Sequence, residues 1–277
     1  MTRTFRLFLL LVAAATSAFP ARAERASDLI NFAFAARLGS GIYQTSGGTL
    51  WILRVPASAT VARPTETRAY GASLLLPVTV GILDFEPEDI LESGLPDRFD
   101  SLGFTPGVRF DVPAGTVWTL SPFAQGGPVR DYSTDSTSWV YSIGLTGEAR
   151  LPREGVEWIV RSEVAWSGMN PHGDELKQTF GELVQGFEVW SPLPARIGNA
   201  RLVLGWFAAG TLYWGRARFV DDPDFQPRLY SVQGEVGLVL STRPRTHIWK
   251  VRVPDLGLST RFGDGFSSIR LVFGKTF

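Results

Sequence analysis

The chain has 277 residues, with 29 Gly, 19 Phe and 9 Trp but only 2 Met and no Cys. The lack of cysteine excludes a disulfide framework and a thiolate metal site. The formal net charge is +0, so overall charge gives no attraction to nucleic acid. Beyond the N-terminal region, no uninterrupted apolar run approaches the ~18 residues that a transmembrane helix needs. If this chain spans a membrane, it does so with strands, because a closed barrel then pairs every backbone group in lipid.

The N-terminal 23 residues predict a secretory signal peptide. Arg3 and Arg6 give a basic start, and Leu7 to Ala15 form an apolar core that is too short to span a bilayer as a helix. Ala21 and Ala23 then place small residues where the signal peptidase reads the chain. We therefore expect an exported protein in which residues 24–277 form one domain.

The mature chain predicts about twelve amphipathic strands. In each, apolar residues recur at every second position, with polar residues or glycine between them. Each stretch is close to the ~10 residues of a transmembrane β-strand. One stretch changes its apolar parity after Pro254, which predicts a bulge at Pro254-Asp255. The predicted strands are 30–42, 51–61, 70–82, 102–112, 116–125, 139–150, 157–166, 182–189, 202–212, 230–240, 249–262 and 268–277.

Two features favour a transmembrane barrel over a lipocalin-like or sandwich protein. The apolar face carries Trp, Tyr and Phe near strand ends, as in aromatic girdles, while the other face carries charges of both signs. Short and long connections also alternate, as periplasmic turns and outer loops do. With an even number of strands, both termini are expected in the periplasm. The short connections are 63–64, 113–115, 152–155 and 242–245, the long ones are 84–98, 126–137, 168–177 and 215–227, and the exceptions are a short 44–48 and a long 191–199.

The last strand alternates Ile269, Leu271 and Phe273 with polar residues, and the chain stops at Phe277. At this point the sequence resembles the bacterial outer-membrane β-barrel class, whose last strand is amphipathic and ends in Phe. The resemblance implies that Leu271, Phe273 and Phe277 form the signal read by the barrel-assembly machinery. Lys275 departs from the pattern, since an apolar residue is usual there. Barrel closure would pair residues 268–276 with the first strand, 30–42.

Three short motifs, at residues 30–35, 38–41 and 261–266, together with the strand number, resemble the solitary outer-membrane autotransporter-like β-barrel family. The resemblance covers residues 30–277. It implies an antiparallel up-and-down barrel in the outer membrane of a Gram-negative bacterium, surrounded by lipid and lipopolysaccharide. It also implies a structural, transport or assembly role without a passenger of its own, and it leaves a separate passenger or periplasmic partner open. It brings no catalytic residue and no cofactor.

Charged residues on the polar face are predicted to point into the lumen. In a barrel of this size, they either line a narrow wet pore or interlock as ion pairs that close it. The mixture of signs argues against a strongly ion-selective channel, but both a closed barrel and a narrow diffusion pore are compatible with the sequence. The predicted lumen residues are Arg37, Arg54, Arg109, Asp111, Glu148, Arg150, Glu157, Arg161, Glu163, Glu182, Glu188, Glu235, Lys250 and Arg252.

Catalytic candidates are sparse, and we expect no enzyme and no metal site. The chain has two histidines, His172 in a turn-rich stretch and His247 near a predicted turn. His172 with Asp174 suits a general base or a weak metal site, but an exposed loop is the simpler interpretation. The alternative of a barrel phospholipase lacks the expected His-x-Ser motif followed by Asn. The acidic stretch 84–90 is compatible with divalent cations that bridge lipopolysaccharide, or with a solvated loop.

Overall fold

The structure is a computed structural model. It describes residues 37, 39–45, 48–65, 69–83, 100–132, 135–171, 178–216, 230–243, 247–248, 251–252, 255–263 and 266–273. The predicted signal peptide, the acidic stretch 84–90, His172, Lys250 and Phe277 lie outside these residues. Within the described ranges, no helix is long and apolar enough to cross a membrane.

The described residues form fifteen strands, each antiparallel to its neighbours. Their bounds are β1 Gly41–Thr45, β2 Gly48–Ala62, β3 Gly71–Leu83, β4 Ser101–Phe104, β5 Gly107–Ala114, β6 Trp118–Asp131, β7 Ser136–Arg153, β8 Val156–Pro171, β9 Gln178–Ile197, β10 Ala200–Arg216, β11 Tyr230–Arg243, β12 His247–Ile248, β13 Val251–Arg252, β14 Leu256–Gly263 and β15 Phe266–Phe273.

Thirteen of these strands close into one ring. The order is β2-β1-β15-β14-β11-β10-β9-β8-β7-β6-β4-β3-β5, and further pairings join β2 to β3 and β6 to β5. Strands β4 and β5 both lie between β3 and β6, so they are two halves of one barrel strand. The interruption falls at Thr105-Pro106, where proline has no backbone N–H for the ladder. The result is a closed ring of twelve strands, which confirms the predicted fold class.

The ring closes between β1 and β15, with Gly41 opposite Arg270 and Gln44 opposite Ser267. Closure of the first strand on the last is therefore confirmed, but a first strand that includes Arg37 is wrong. Arg37 has helical backbone, and Gly39 takes a left-handed φ of 86° that an extended strand does not use. The chain turns out of the sheet here because the Arg37 side chain bonds to carboxylates inside the barrel.

The outer surface of the barrel is apolar, whereas charged side chains are buried in its interior. Outward-facing Leu53, Leu258 and Ile269 are 49%, 58% and 63% exposed, whereas Glu182 and Glu235 are buried. A water-soluble protein has the opposite arrangement. The distribution is that of a transmembrane barrel, in which lipid contacts the outer face and the lumen takes the polar side chains.

Because the strands alternate in direction, successive connections leave opposite ends of the barrel. We call one end the turn end; its connections are residues 63–70, 115–117, 154–155, 198–199 and 244–255. We call the other the loop end; its connections are residues 46–47, 84–100, 132–135, 172–177, 217–229 and 264–265.

Two predicted long connections are wrong. The stretch 126–137 belongs largely to β6 and β7, and the connection is residues 132–135. Gly126 and Pro128 interrupt the apolar alternation, yet they still lie opposite Tyr141 and Trp139. The stretch 191–199 is likewise mostly β9, which turns tightly at Gly198 with a φ of 57°. A register shift between Arg201 and Val203 accommodates the extra residues of β9. Because of these extra residues, the sequence predicted a connection where β9 continues. The short connection predicted at 44–48 is confirmed.

The predicted strand over 249–262 with a bulge is also wrong. Strands β12 and β13 form a separate hairpin, with His247 opposite Arg252, and the barrel strand β14 starts at Leu256. Asp255 is buried and accepts a hydrogen bond from the hydroxyl of Ser241, which fixes the entry into β14. The change of parity therefore marks a hairpin within the connection. Arg252 consequently lies outside the barrel sheet and does not belong to the lumen set.

Candidate functional site

The interior of the barrel is the candidate functional site, and its first group of side chains surrounds Arg37. The guanidinium of Arg37 donates to the carboxylates of Glu163 on β8 and Glu182 on β9. The hydroxyl of Thr146 on β7 donates to Glu163 at 2.8 Å. Arg37 also lies over the Phe123 ring, 5.5 Å from its centroid, in a cation–π contact. One residue outside the sheet thus joins three strands of the wall and the ring on β6.

A second group centres on Glu235 of β11. Arg261 is its cross-strand partner on β14 and donates to it from two nitrogens, at 2.8 and 3.0 Å. Arg270 on β15 bonds to both oxygens of the same carboxylate. The hydroxyl of Ser259 donates at 2.6 Å, and Arg261 also reaches the hydroxyl of Tyr213 at 3.4 Å. Two guanidinium groups therefore share one buried carboxylate.

A third group lies nearer the turn end. Arg161 pairs with Glu148 at 2.8 Å and with Glu188 at 2.9 Å. The indole of Trp190 donates to Glu188 at 2.8 Å. Arg150 pairs with Glu148 at 2.7 Å and with Glu157 at 3.2 Å, and its side chain is largely exposed. These charges run from the buried interior out to the rim of the barrel.

The remaining lumen candidates make smaller groups. Arg109 lies 3.1 Å from Asp111, which accepts a hydrogen bond from Ser121 at 2.7 Å. The backbone of Arg54 exchanges two hydrogen bonds of 2.9 Å with the hydroxyl of Ser40. The Arg54 guanidinium forms no ion pair with any residue that the structure describes, and its Nε is buried without a hydrogen-bond partner there.

Apolar clusters line the interior between and beyond these charges. One of them joins Met169, Phe180 and Tyr213 to two valines on β6 and β7. The other lies on the turn-end side and consists of Ile159, Trp190, Val203, Phe207, Val239 and Val272. The inner wall of the described barrel thus carries both ion pairs and apolar side chains.

Sequence reasoning missed Arg261, Arg270, Tyr43 and Tyr213, all of which are buried in the interior. The sequence did indicate an inward position for the two arginines, because each lies on the polar face of a strand whose apolar face was predicted. The two tyrosines carried no such signal, since a tyrosine is equally common on a lipid-facing surface.

Of the predicted assembly residues, the structure describes Leu271 and Phe273. Leu271 is half exposed on the outer face of β15, and Phe273 is the last residue of that strand. The part of the chain that the structure describes contains no group of three His, Cys, Asp or Glu residues that is able to hold a metal ion.

Comparisons with known proteins are informative for the fold. No family model matches the sequence, and no curated protein matches it. Among solved structures, the chain is similar to the crystal structure of the β domain of the Bordetella autotransporter BrkA, with a TM-score of 0.56 and 12% sequence identity. The match covers 86% of this chain and 96% of that chain. Together with the closed ring of twelve strands, this likeness shows that the protein is a β-barrel with the autotransporter β-domain fold.

Proposed function

We propose that the protein is an integral outer-membrane β-barrel of autotransporter-translocator type that carries no catalytic activity. Its apolar outer surface and its fold support the membrane location. An even number of strands supports periplasmic placement of both termini, at the turn end. In this proposal the barrel has a structural, export or assembly role and acts on a partner rather than on a small-molecule substrate.

The observation that carries the proposal is the position of Arg37. It leaves the line of β1, lies inside the barrel and bonds to Glu163 and Glu182 on the wall. An arginine side chain held in the lumen by ion pairs narrows the path for passive diffusion, and it suits a barrel that opens only when a partner breaks those ion pairs. A passive pore has no need of such a contact.

Conductance in planar lipid bilayers tests this proposal. The refolded wild-type protein is expected to give no discrete steps. The double variant Glu163→Ala, Glu182→Ala removes both partners of Arg37 and is expected to give transient openings. Asp135→Ala is the matched control, because it removes a carboxylate from an exposed ion pair with Arg130 at the loop end. Steady, discrete conductance of the wild-type protein would contradict the proposal and favour a diffusion pore.

Whether the barrel serves a separate passenger is a second part of the proposal. Affinity purification of the tagged, full-length protein from its own outer membrane is expected to retain a periplasmic or exported partner. A barrel that purifies alone after mild cross-linking would favour a purely structural role.

A further inference from the structure

The outer face of the barrel carries a polar pair in the middle of its apolar band. The outward residues of β8 run from Trp158 through Ser162 to Trp166, with valines between them. Aromatic residues mark the two interfaces of a membrane, so Ser162 lies midway between these interfaces. Gln185 on β9 is directly opposite Ser162 and shares its face. Both polar side chains therefore face the hydrocarbon of the bilayer.

The amide of Gln185 is only partly satisfied by its own barrel. Its carbonyl accepts a hydrogen bond from the Ser162 hydroxyl, and its Nε2 donates to the backbone carbonyl of Arg161 at 3.0 Å. A primary amide has two N–H groups, and the described residues provide an acceptor for one of them. Lipid tails hold no hydrogen-bonding groups, so an unsatisfied amide at this depth is costly. A polar partner from outside the barrel would remove that cost.

The wall beside Gln185 leaves room for such a partner. Gly210 on β10 lies directly opposite Gln185, and on its other side it lies opposite Gly234 of β11. A Cβ atom added at Gly210 would meet no described atom within 4 Å. Small residues allow two membrane-spanning segments to approach closely. A second protein is therefore able to reach the Gln185 amide at this point.

A groove and a ridge flank the same place. The groove is apolar, has a volume of about 460 Å³ and crosses β10, β11 and β14 on the outer face, with Trp206, Ala208 and Thr260 among its lining residues. The ridge consists of Trp158 and Phe187 on β8 and β9, whose rings pack with that of Trp206 at centroid distances between 5.4 and 6.5 Å. The ridge and the groove thus lie side by side on the wall.

We propose that Ser162, Gln185, Ala208, Gly210 and Thr260, here called the Gln185 face, form the interface of a homodimer within the membrane. The dimer rests on the proposed function, because both copies must span a membrane. A primary amide is its own complement, since it holds both donors and an acceptor, so Gln185 suits the same residue of a second copy. A lipid tail fills the groove but leaves the amide unsatisfied.

The shape of the wall also suits a second copy. Two barrels with the same orientation in a membrane are related by a two-fold axis along the membrane normal, and the same patch of each then forms the interface. This rotation brings the β8–β9 side of one copy against the β10–β14 side of the other. The aromatic ridge of each copy is thereby turned towards the groove of its partner.

Energy transfer between labelled copies in phosphatidylcholine vesicles tests the dimer. Because the chain has no Cys, Tyr132→Cys gives one labelling site in an exposed connection at the loop end. Donor-labelled and acceptor-labelled barrels are expected to show energy transfer that persists on dilution with lipid and falls when unlabelled copies are added. Gly210→Leu is expected to abolish the transfer, because its side chain occupies the room for the partner. Gln185→Leu is expected to weaken association about fivefold.

The matched control is Ala57→Leu, which adds bulk to the outer face of β2, six strands away from β9 in the ring of twelve. It is expected to leave the transfer unchanged. Absence of transfer between wild-type copies would overturn the dimer and favour lipid as the occupant of the groove. Transfer that survives in Gly210→Leu, or that disappears in Ala57→Leu, would also contradict the Gln185 face. Migration of unheated protein on a gel separates these failures from a failure of the proposed function. A barrel that inserts and migrates as folded, but shows no transfer, contradicts the dimer alone.

Discussion

Among single residues, Glu235 is notable because two arginines share its buried carboxylate. Its carboxylate is buried and is the shared acceptor for Arg261 and Arg270, with Ser259 as a third donor. Removing one partner of a buried ion pair leaves the other charge uncompensated, which costs far more than the loss of an exposed pair. The stability of the barrel interior therefore depends on a few buried carboxylates.

Glu235→Gln is expected to lower the free energy of unfolding by about 3 kcal/mol, because two buried guanidinium groups lose their counter-charge. Guanidinium chloride titration of the refolded barrel, followed by tryptophan fluorescence, measures the change. Asp135→Asn breaks the exposed pair with Arg130 and is expected to cost at most about 1 kcal/mol. Equal effects of the two substitutions would show that the interior charges are solvated like surface charges.

At the scale of the strand, β15 both closes the ring and presents an apolar face to lipid. Its outward residues Ile269 and Leu271 are 63% and 50% exposed, while Ser268 and Arg270 point inward and are buried. The same strand thus connects β14 to β1 and supplies the surface on which the predicted assembly signal lies.

Leu271→Asp is expected to destabilise the inserted barrel by about 2 kcal/mol and to reduce its outer-membrane level, because the charge lies on the lipid-facing surface. Ser267→Asp is the control on the same face, two residues from the loop-end connection, where a charge costs less. Cell fractionation and immunoblotting measure both variants. A normal outer-membrane level of Leu271→Asp would show that this part of the assembly signal was misread.

Strand identity was predictable from the sequence because alternation is a local property that each strand carries by itself. The outward pattern of β2, β8 and β11 is an example. Three departures were not predictable, because long-range contacts decide them. Arg37 leaves the sheet for carboxylates 126 and 145 residues further along the chain. The β12–β13 hairpin alternates as a barrel strand does. The bulge in β9 shifts its register with β10, so the sequence pattern did not predict how the two strands pair.

Only part of the candidate site was predictable from the sequence. Period-two reading placed Glu163, Glu182 and Glu235 on the polar face, but it gave no information about which charges pair. The pair of Glu235 and Arg270 joins residues that are 35 positions apart, and the pairing of β14 with both β11 and β15 brings them together.

For the whole molecule, the central claim is a ring closed by β1 and β15, with Ile42 directly opposite Ile269. The chain has no Cys, so a pair of introduced cysteines reports this closure without a background. Opposed residues of antiparallel strands have Cα atoms about 4.5–5.5 Å apart, within the range of a disulfide, whereas diagonal partners are about 7–8 Å apart.

The decisive measurement is oxidation of the folded double variant Ile42→Cys, Ile269→Cys, followed by denaturing gel electrophoresis without reductant. We expect a rapid, nearly complete intramolecular disulfide, seen as faster migration that a reductant reverses. The pair Ile42→Cys, Leu271→Cys, displaced by two positions, is expected to cross-link poorly. Failure of the first pair to cross-link, or preferential cross-linking of the second, would contradict the closed ring and its register.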